Sequence, residues 1–275
     1  MNFRLGLFLF LAISSIQASE IKKISLPLIP DLQRADIYVL KLTEHPSGLL
    51  VLCPGLNGNG KDWIANPTWQ AFARDHNLDL IGISFASEVP VLRSNRGYYY
   101  APLGSGQLLL NGIRQEYPEK LPLLMYGFSG GAHFTSGFAE WKPDRVLAWC
   151  AYSAEWWVKP VSNGNSPPGL VACGENDPRL GPSLVFFKQG RALGKPWLWL
   201  CAPKTGHTPY PPAEGFVRDY FAAVLKNGEA ASPGEWVDLN QKSKAEPDTP
   251  RSQPTATGWL PDAELLTTWQ EIHQP

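Results

Sequence analysis

A serine flanked by glycines is the residue of this sequence whose setting most suggests chemistry. Ser129 stands in Gly127-Phe-Ser-Gly-Gly131, directly after an apolar run that begins at Leu121. The apolar run is typical of a strand, and the small residues that follow are typical of a helix. A sharp turn between them brings residues 127 and 131 close together, and glycine leaves room for that approach. The turn presents the Ser129 hydroxyl above a sheet, which predicts a nucleophile.

The glycine pattern alone is moderately specific, because similar turns also serve as plain connections. A serine nucleophile further needs a histidine base and an acid, in the chain order serine, acid, histidine at strand ends. Asp177 follows the apolar segment that ends at Cys173, and His207 lies in the loop after the next such segment. The other histidines lie before the serine, on the helix that leaves it or near the chain end: His45, His76, His133 and His273. Only His207 therefore fits the position of the base.

The acid has an alternative, and both partner residues have ordinary explanations. Glu155 follows the preceding strand and is the second candidate, whereas Glu175 is still on a strand end. An Asp before Pro also commonly starts a turn, and a loop histidine is ordinarily a solvated side chain. Asp177 is favoured because its slot is the usual one for this chain order.

An ester or amide reaction at Ser129 needs two N–H donors for the developing oxyanion. The backbone N–H of Gly130 is one candidate. The glycine-rich loop at residues 54–60 supplies the other, with the Leu56 amide as first choice and the Asn57 amide as second. A phosphate-binding role for the same glycines competes weakly, because no Lys-Ser/Thr pair follows at P-loop spacing.

The chain alternates between predicted strands and helices over residues 48–226, which predicts a parallel sheet with helices on both faces. Eight apolar segments are the predicted strands, at residues 21–28, 35–42, 48–53, 78–85, 121–128, 146–153, 169–173 and 197–201. Helices are predicted from the Asn66-Pro67 cap and over residues 105–117, 132–141, 182–193 and 214–226. Residues 88–102 lack periodicity and are predicted to form a loop. The fold class is thus a doubly wound, mostly parallel α/β sheet of about eight strands.

The N-terminal residues have the three regions of a secretory signal peptide. A short basic start ends at Arg4, residues 5–13 are almost wholly apolar, and cleavage is predicted after Ala18. The apolar run is too short to span a bilayer. A buried first helix or an uncleaved anchor is the alternative. The mature chain is therefore predicted to have no membrane span and to be secreted or periplasmic.

These patterns divide the chain into three predicted parts: a signal peptide at 1–18, an α/β domain at 19–228, and a tail at 229–275. The tail is predicted to hold a Pro-rich surface linker at 240–257 and a short amphipathic helix. Its apolar residues recur at helical spacing: Trp259, Leu260, Leu265, Leu266, Trp269 and Ile272. That face either docks on the domain or binds a partner.

Composition excludes some classes of function. The 275 residues carry a formal net charge of -1 without long basic runs, which argues against a nucleic-acid partner. The four cysteines fall in or beside predicted strands at spacings that fit no zinc pattern. They are predicted to be buried free thiols, with one strand-end disulfide as the alternative. No metal site is predicted.

A family resemblance rests on three stretches of sequence. Gly127-Phe-Ser-Gly-Gly131 with Ala-His-Phe134, then Trp141-Lys-Pro-Asp-Arg-Val146, then Ala151-Tyr-Ser-Ala154 resemble α/β-hydrolase esterases. The similar groups are the polyhydroxybutyrate-depolymerase-like and the feruloyl or acetyl-xylan esterase-like enzymes, over residues 36–226. The resemblance implies a secreted serine esterase without a cofactor. Pro54 departs from it, since many relatives have His there.

The resemblance also bears on the substrate. Only about twenty residues separate Ser153 from Cys173, which leaves no room for a large lid domain. Five residues at strand-end loops are candidates to line the site: Asn57, Trp63, Tyr99, Trp156 and Trp157. An aromatic-walled cleft favours aryl or sugar esters, small or polymer-linked, over long lipids. Ordinary packing under loops is the alternative for each aromatic residue.

The leading hypothesis is a serine hydrolase that cleaves carboxylic esters through an acyl-enzyme, with Ser129, His207 and Asp177 as its triad. A serine peptidase of the same fold would share that triad. A non-catalytic binding protein on the same scaffold is the third hypothesis, and the presence of all three residue types argues against it.

Overall fold

The computed structural model describes residues 20–155, 157–162, 165–227 and 234–272. The predicted signal peptide and Trp156 lie outside these ranges. The structure describes the predicted α/β domain at 19–228 apart from residues 19, 156, 163–164 and 228.

The central feature is an eight-stranded sheet in the order β1-β2-β4-β3-β5-β6-β7-β8. Its strands are β1 (Ile21–Ser25), β2 (Arg34–Leu40), β3 (Gly48–Cys53), β4 (Leu78–Ala86), β5 (Leu123–Phe128), β6 (Val146–Tyr152), β7 (Gly169–Gly174) and β8 (Trp197–Ala202). β2 pairs antiparallel with β1 and β4, and the pairs from β4 to β8 are parallel. All eight predicted strands are confirmed, with bounds that differ by a few residues.

The parallel strands are apolar throughout because helices cover both faces of the sheet. In β3, Leu49 and Val51 face one core layer, whereas Leu50 and Leu52 face the other. All four side chains are fully buried. The period of two in a strand thus divides one apolar run between two cores.

Seven helices accompany this sheet: α1 (Gly60–Ile64), α2 (Pro67–Asp75), α3 (Val89–Arg93), α4 (Ser105–Glu116), α5 (Gly130–Trp141), α6 (Leu180–Ala192) and α7 (Pro211–Asn227). α4, α5 and α6 pack on one face, and α1, α2 and α7 pack on the other. The prediction of a doubly wound sheet is confirmed. The predicted cap at Asn66 is also present, since its side chain accepts the Thr68 N–H at 2.8 Å.

The predicted loop at residues 88–102 is only partly irregular. It contains α3 and the start of a 3-10 turn at Ala101–Leu103. A five-residue helix shows too little periodicity to be read from sequence.

The predicted linker at 240–257 is wrong, because this segment belongs to a second, small sheet. Its elements are β9 (Glu235–Asp238), β10 (Ser243–Lys244), α8 (Thr249–Ser252), β11 (Thr257–Leu260) and α9 (Leu265–Ile272). β9 pairs antiparallel with β10 and with β11. Val237 and Leu260 are fully buried. A few apolar anchors therefore suffice to hold short strands that are otherwise polar.

The small sheet and α9 dock on the main sheet at β8. The indole N–H of Trp269 donates to the Trp199 carbonyl at 3.0 Å, and Trp269 is 1% exposed. On the other face, the buried Arg191 of α6 donates through Nε to the Thr257 carbonyl at 3.0 Å. Burial lowers the pKa of Arg191 to about 10. Of the two roles considered for the apolar tail, docking on the domain is the one that the structure shows.

Three further sequence predictions can be compared with the structure. Cys53, Cys150 and Cys173 are buried free thiols, as expected, and Cys201 is half-buried at the end of β8. None of the helices in the described part of the chain has the length and apolar character needed to cross a bilayer. The described residues also include no group of three or more His, Cys, Asp or Glu side chains arranged to hold a metal ion.

Replacement of Trp269 tests the docking of α9. Trp269→Ala removes a fully packed indole and its hydrogen bond, so we expect a loss of about 3–5 kcal/mol in the free energy of unfolding. Thr267→Ala is the matched control, since Thr267 is exposed on the same helix. Urea titrations of both variants measure the difference. Equal stabilities would contradict the docking role of Trp269.

Candidate active site

Ser129 occupies a strained turn between β5 and α5. Its backbone has φ 52° and ψ -114°, a conformation that residues with a side chain rarely adopt. The Ser129 N–H donates to the Tyr152 carbonyl on β6 at 2.8 Å, which holds the turn against the neighbouring strand. The predicted strand, turn and helix around Ser129 are therefore present.

The two flanking glycines are required by backbone approach. A Cβ on Gly127 would overlap the Gly131 carbonyl, and one on Gly131 would overlap the Cys53 carbonyl at the end of β3. The sequence predicts a collision between side chains at these two positions. The structure shows a tighter constraint, since the backbone of α5 itself fills the space beside β5 and β3.

The structure brings together the three residues predicted to form the triad. His207 Nε2 lies 2.9 Å from Ser129 Oγ, and His207 Nδ1 lies 2.7 Å from Asp177 Oδ2. Asp177 follows β7 and His207 follows β8. Since both strands run parallel to β5, their ends meet at the edge of the sheet where Ser129 stands.

The Asp177 carboxylate is built to stay ionised. Its side chain is fully buried, and its second oxygen accepts the Arg179 N–H at 3.0 Å and the Arg179 guanidinium at 3.3 Å. Burial by itself raises the pKa of Asp177, but hydrogen bonds from His207, Arg179 and Ser153 outweigh burial and leave this pKa below its ordinary value. A negative charge therefore faces His207 Nδ1 at neutral pH.

The rival acids have other partners. The Glu155 carboxylate lies 3.8 Å from the Arg179 guanidinium, and Glu175 accepts the Lys204 N–H at 2.7 Å. His133 is buried, and its Nε2 accepts the Glu155 N–H at 3.3 Å. The geometry thus favours Asp177 as the partner of His207.

Two backbone amides are arranged to receive an oxyanion. Gly130 is the first residue of α5, so its N–H has no acceptor within the helix and lies at the positive end of the helix dipole. A Cβ built on Gly130 would lie 2.8 Å from the Leu56 nitrogen, so the 54–60 loop reaches the start of α5 at Leu56. The Asn57 N–H donates to the Tyr98 hydroxyl at 3.1 Å. Of the two amides considered from sequence, Leu56 therefore remains the candidate for the second donor.

The Asn57 side chain anchors the 54–60 loop. Its side chain donates to the Ser87 carbonyl and accepts the Ser87 N–H, both at 3.1 Å. The Arg34 guanidinium on β2 donates to the carbonyls of Asn57 and Gly58, at 2.7 Å for Gly58. Sequence analysis missed Arg34, because nothing marks a strand-end arginine as the partner of a loop more than twenty residues away.

The remaining aromatic candidates differ in position. Trp63 lines a cleft of about 310 Å³ with Asp62, Asn66, Trp69, Pro209 and Glu214. Tyr99 is buried and stacks on His133, with ring centroids 4.4 Å apart. Trp157 stacks on Phe186 at 4.2 Å and packs on the core. Trp63 therefore lines a cleft whose lining does not include Ser129, Asp177 or His207, and Trp157 packs on the core.

The described residues of the β6–β7 connection are irregular. In this connection, residues 153–155, 157–162 and 165–168 form no helix or strand. The His207 side chain is 30% exposed. The expectation that no large lid domain covers the site agrees with this geometry.

Solved structures match the chain, although no family model and no curated protein does. S-formylglutathione hydrolase from Staphylococcus aureus is 16% identical, with a TM-score of 0.55 over 76% of this chain and 98% of that chain. Poly(3-hydroxybutyrate) depolymerase from Bordetella parapertussis is 16% identical, with a TM-score of 0.55 over 77% and 90%. A ferulic acid esterase is 14% identical, with a TM-score of 0.52 over 76% and 97%. These similarities show that the chain has the α/β-hydrolase fold.

A methyl group at residue 130 tests the arrangement of the amides. Gly130→Ala would push against the Leu56 amide and the hydroxyls behind it, so we expect Ser129 to react with a fluorophosphonate about 10-fold more slowly or worse. Gly215→Ala is the control, because a Cβ there meets only the Arg218 guanidinium at 3.8 Å. The measurement is the rate of fluorophosphonate labelling of each variant, compared with the wild type. An unchanged rate in Gly130→Ala would show that these amides are not held as described.

Proposed function

We propose that this protein is a serine hydrolase that cleaves carboxylic esters through an acyl-enzyme intermediate. The observation that carries the proposal is the continuous hydrogen-bond chain from Ser129 through His207 to the buried Asp177. The α/β-hydrolase fold supports it, because that fold presents such residues at strand ends. The named activities of the similar structures are ester and thioester hydrolyses, which agree with the proposal.

Acylation begins when Ser129 Oγ bonds to the ester carbonyl carbon and its proton moves to His207 Nε2. The carbonyl electrons move to oxygen, where the amides of Gly130 and Leu56 stabilise the negative charge. Asp177 fixes the tautomer of His207 and stabilises the imidazolium. The bond to the leaving oxygen then breaks, and His207 donates the proton to the departing alcohol.

Deacylation repeats these steps with water. His207 takes a proton from water as the oxygen bonds to the acyl carbon, and the bond to Ser129 Oγ breaks as that proton returns to the serine. The sum of both halves is ester plus water to acid plus alcohol. No cofactor enters this scheme.

Four features of the chain bear on the substrate and the location of the protein. The exposed histidine, the short β6–β7 connection and Trp63 favour small or polymer-linked aryl or sugar esters over long lipids. The basic and apolar N-terminal residues favour export to the periplasm or the medium. A serine peptidase of the same fold remains the second candidate, because the triad by itself does not select between ester and amide.

Active-site labelling tests the nucleophile. We expect a fluorophosphonate probe to label the wild type and to leave Ser129→Ala unlabelled, because only the activated serine attacks phosphorus. Ser94→Ala is the matched control, since Ser94 is exposed and distant in sequence from the triad. Label that persists in Ser129→Ala would assign the reaction to another residue and overturn the mechanism.

A substrate panel tests the class of ester. We expect higher kcat/KM for p-nitrophenyl acetate and methyl ferulate than for p-nitrophenyl palmitate, since the described residues of the β6–β7 connection form no helical lid to shelter a long acyl chain. Peptide p-nitroanilides should be hydrolysed slowly or not at all. A strong preference for palmitate would contradict the proposed class, and efficient anilide hydrolysis would favour the peptidase.

A further inference from the structure

Two tyrosine hydroxyls lie close to the two candidate oxyanion donors. A Cβ built on Gly130 would lie 2.7 Å from the Tyr98 hydroxyl oxygen, 2.8 Å from the Tyr99 hydroxyl oxygen and 2.8 Å from the Leu56 nitrogen. The glycine at 130 thus makes room for hydroxyl groups as well as for the loop amide. The catalytic scheme above uses neither hydroxyl.

Both tyrosines are fixed in place. Tyr98 is 1% exposed and Tyr99 is 4% exposed. The Tyr98 backbone donates to Ser87 Oγ at 3.1 Å and accepts from Ser105 Oγ at 2.9 Å. The Tyr99 ring lies nearly parallel to the His133 ring, at an interplanar angle of 10°. Rings held in this way give their hydroxyls defined positions, as electrostatic catalysis requires.

The two hydroxyls lie beside the 54–60 loop. The Tyr98 hydroxyl accepts the Asn57 N–H at 3.1 Å, and the Tyr98 and Tyr99 rings pack edge to face with centroids 4.8 Å apart. Burial raises the pKa of Tyr98 well above its ordinary value and that of Tyr99 to about 12, so both keep their protons at neutral pH. Because the Tyr98 oxygen accepts from Asn57, its own proton is left to donate, and the Tyr99 hydroxyl lies beside it around the same point near Gly130.

We propose that the Tyr99 hydroxyl is a third donor to the oxyanion and that Tyr98 orients it. The chain then runs from the Asn57 N–H to Tyr98, from Tyr98 to Tyr99, and from Tyr99 to the substrate oxygen. Each bond in such a chain polarises the next, which strengthens the last donor as negative charge develops. Tyr99 is thus a catalytic residue and Tyr98 a positioning residue. The inference rests on the proposed ester hydrolysis.

Three consecutive tyrosines supply the variants for the test. Tyr99→Phe removes the third donor, and Tyr98→Phe removes the group that orients it. Tyr100→Phe is the matched control, because the Tyr100 hydroxyl donates to Asn95 Oδ1 at 2.9 Å, outside the chain described above. We expect Tyr99→Phe to lower kcat for p-nitrophenyl acetate by about 10- to 10²-fold with KM within about twofold, since the interaction forms only in the transition state. Tyr100→Phe should match the wild type.

A transition-state analogue separates catalysis from packing. An alkyl trifluoromethyl ketone forms a tetrahedral adduct with serine whose oxyanion occupies the same position as that of the reaction. The Ki of this inhibitor should rise in Tyr99→Phe by the factor by which kcat/KM falls. Melting temperatures of all three variants report folding. If Tyr99→Phe melts well below the wild type, the Tyr98→Phe variant tests the proposal in its place. We then expect Tyr98→Phe to lower kcat and to leave KM unchanged.

The outcomes distinguish this proposal from the function on which it rests. If Tyr99→Phe has the kcat/KM and the Ki of the wild type, Tyr99 is not a third donor, although the proposed function stands. The same conclusion follows if Tyr99→Phe loses kcat without any change in Ki. A wild type that neither hydrolyses esters nor labels at Ser129 would overturn the proposed function, and the third donor with it.

Discussion

The site depends on one close crossing of backbone, where the first turn of α5 lies against the ends of β3 and β5. Neither Gly127 nor Gly131 has space for a Cβ there, because the carbonyls of Gly131 and Cys53 occupy it. This contact forces the unusual φ of Ser129, aims the N-terminus of α5 at the space above it, and brings the 54–60 loop beside Gly130. Ser129 and the candidate amide donors are therefore positioned by the same packing constraint.

The electrostatics of the site follow from that arrangement. The positive end of α5 and the paired amides stand on one side of Ser129, and the buried Asp177 carboxylate stands on the far side of His207. A reaction that develops negative charge on a carbonyl oxygen and positive charge on the imidazole meets a complementary field at both ends. Arg34, Ser87 and Tyr98 contribute by fixing the loop, although none of them contacts His207 among the described interactions.

The strand pattern and the turn at Ser129 could be read from sequence because both are local, and Asp177 and His207 could be placed because each follows the end of such a strand. Apolar runs such as residues 48–53 and glycine-rich turns such as residues 127–131 depend on their own neighbours. The anchors of the oxyanion loop could not be read, because Arg34 and Tyr98 reach it across 23 and 41 positions without any sequence mark. The small C-terminal sheet was missed for a related reason, since its polar strands become regular only by pairing with each other and packing through a few buried residues.

The way in which the tail wraps around β8 has a consequence for folding kinetics. Trp269 meets Trp199 across 70 positions, and Thr257 meets Arg191 across 66. Contacts of such long range form slowly, because the chain between them must first be ordered. Until they form, β8 is an exposed edge strand beside a hydrophobic face, which is the state most open to pairing with another chain. In the folded protein, the Trp269 indole occupies one backbone carbonyl of this strand, that of Trp199.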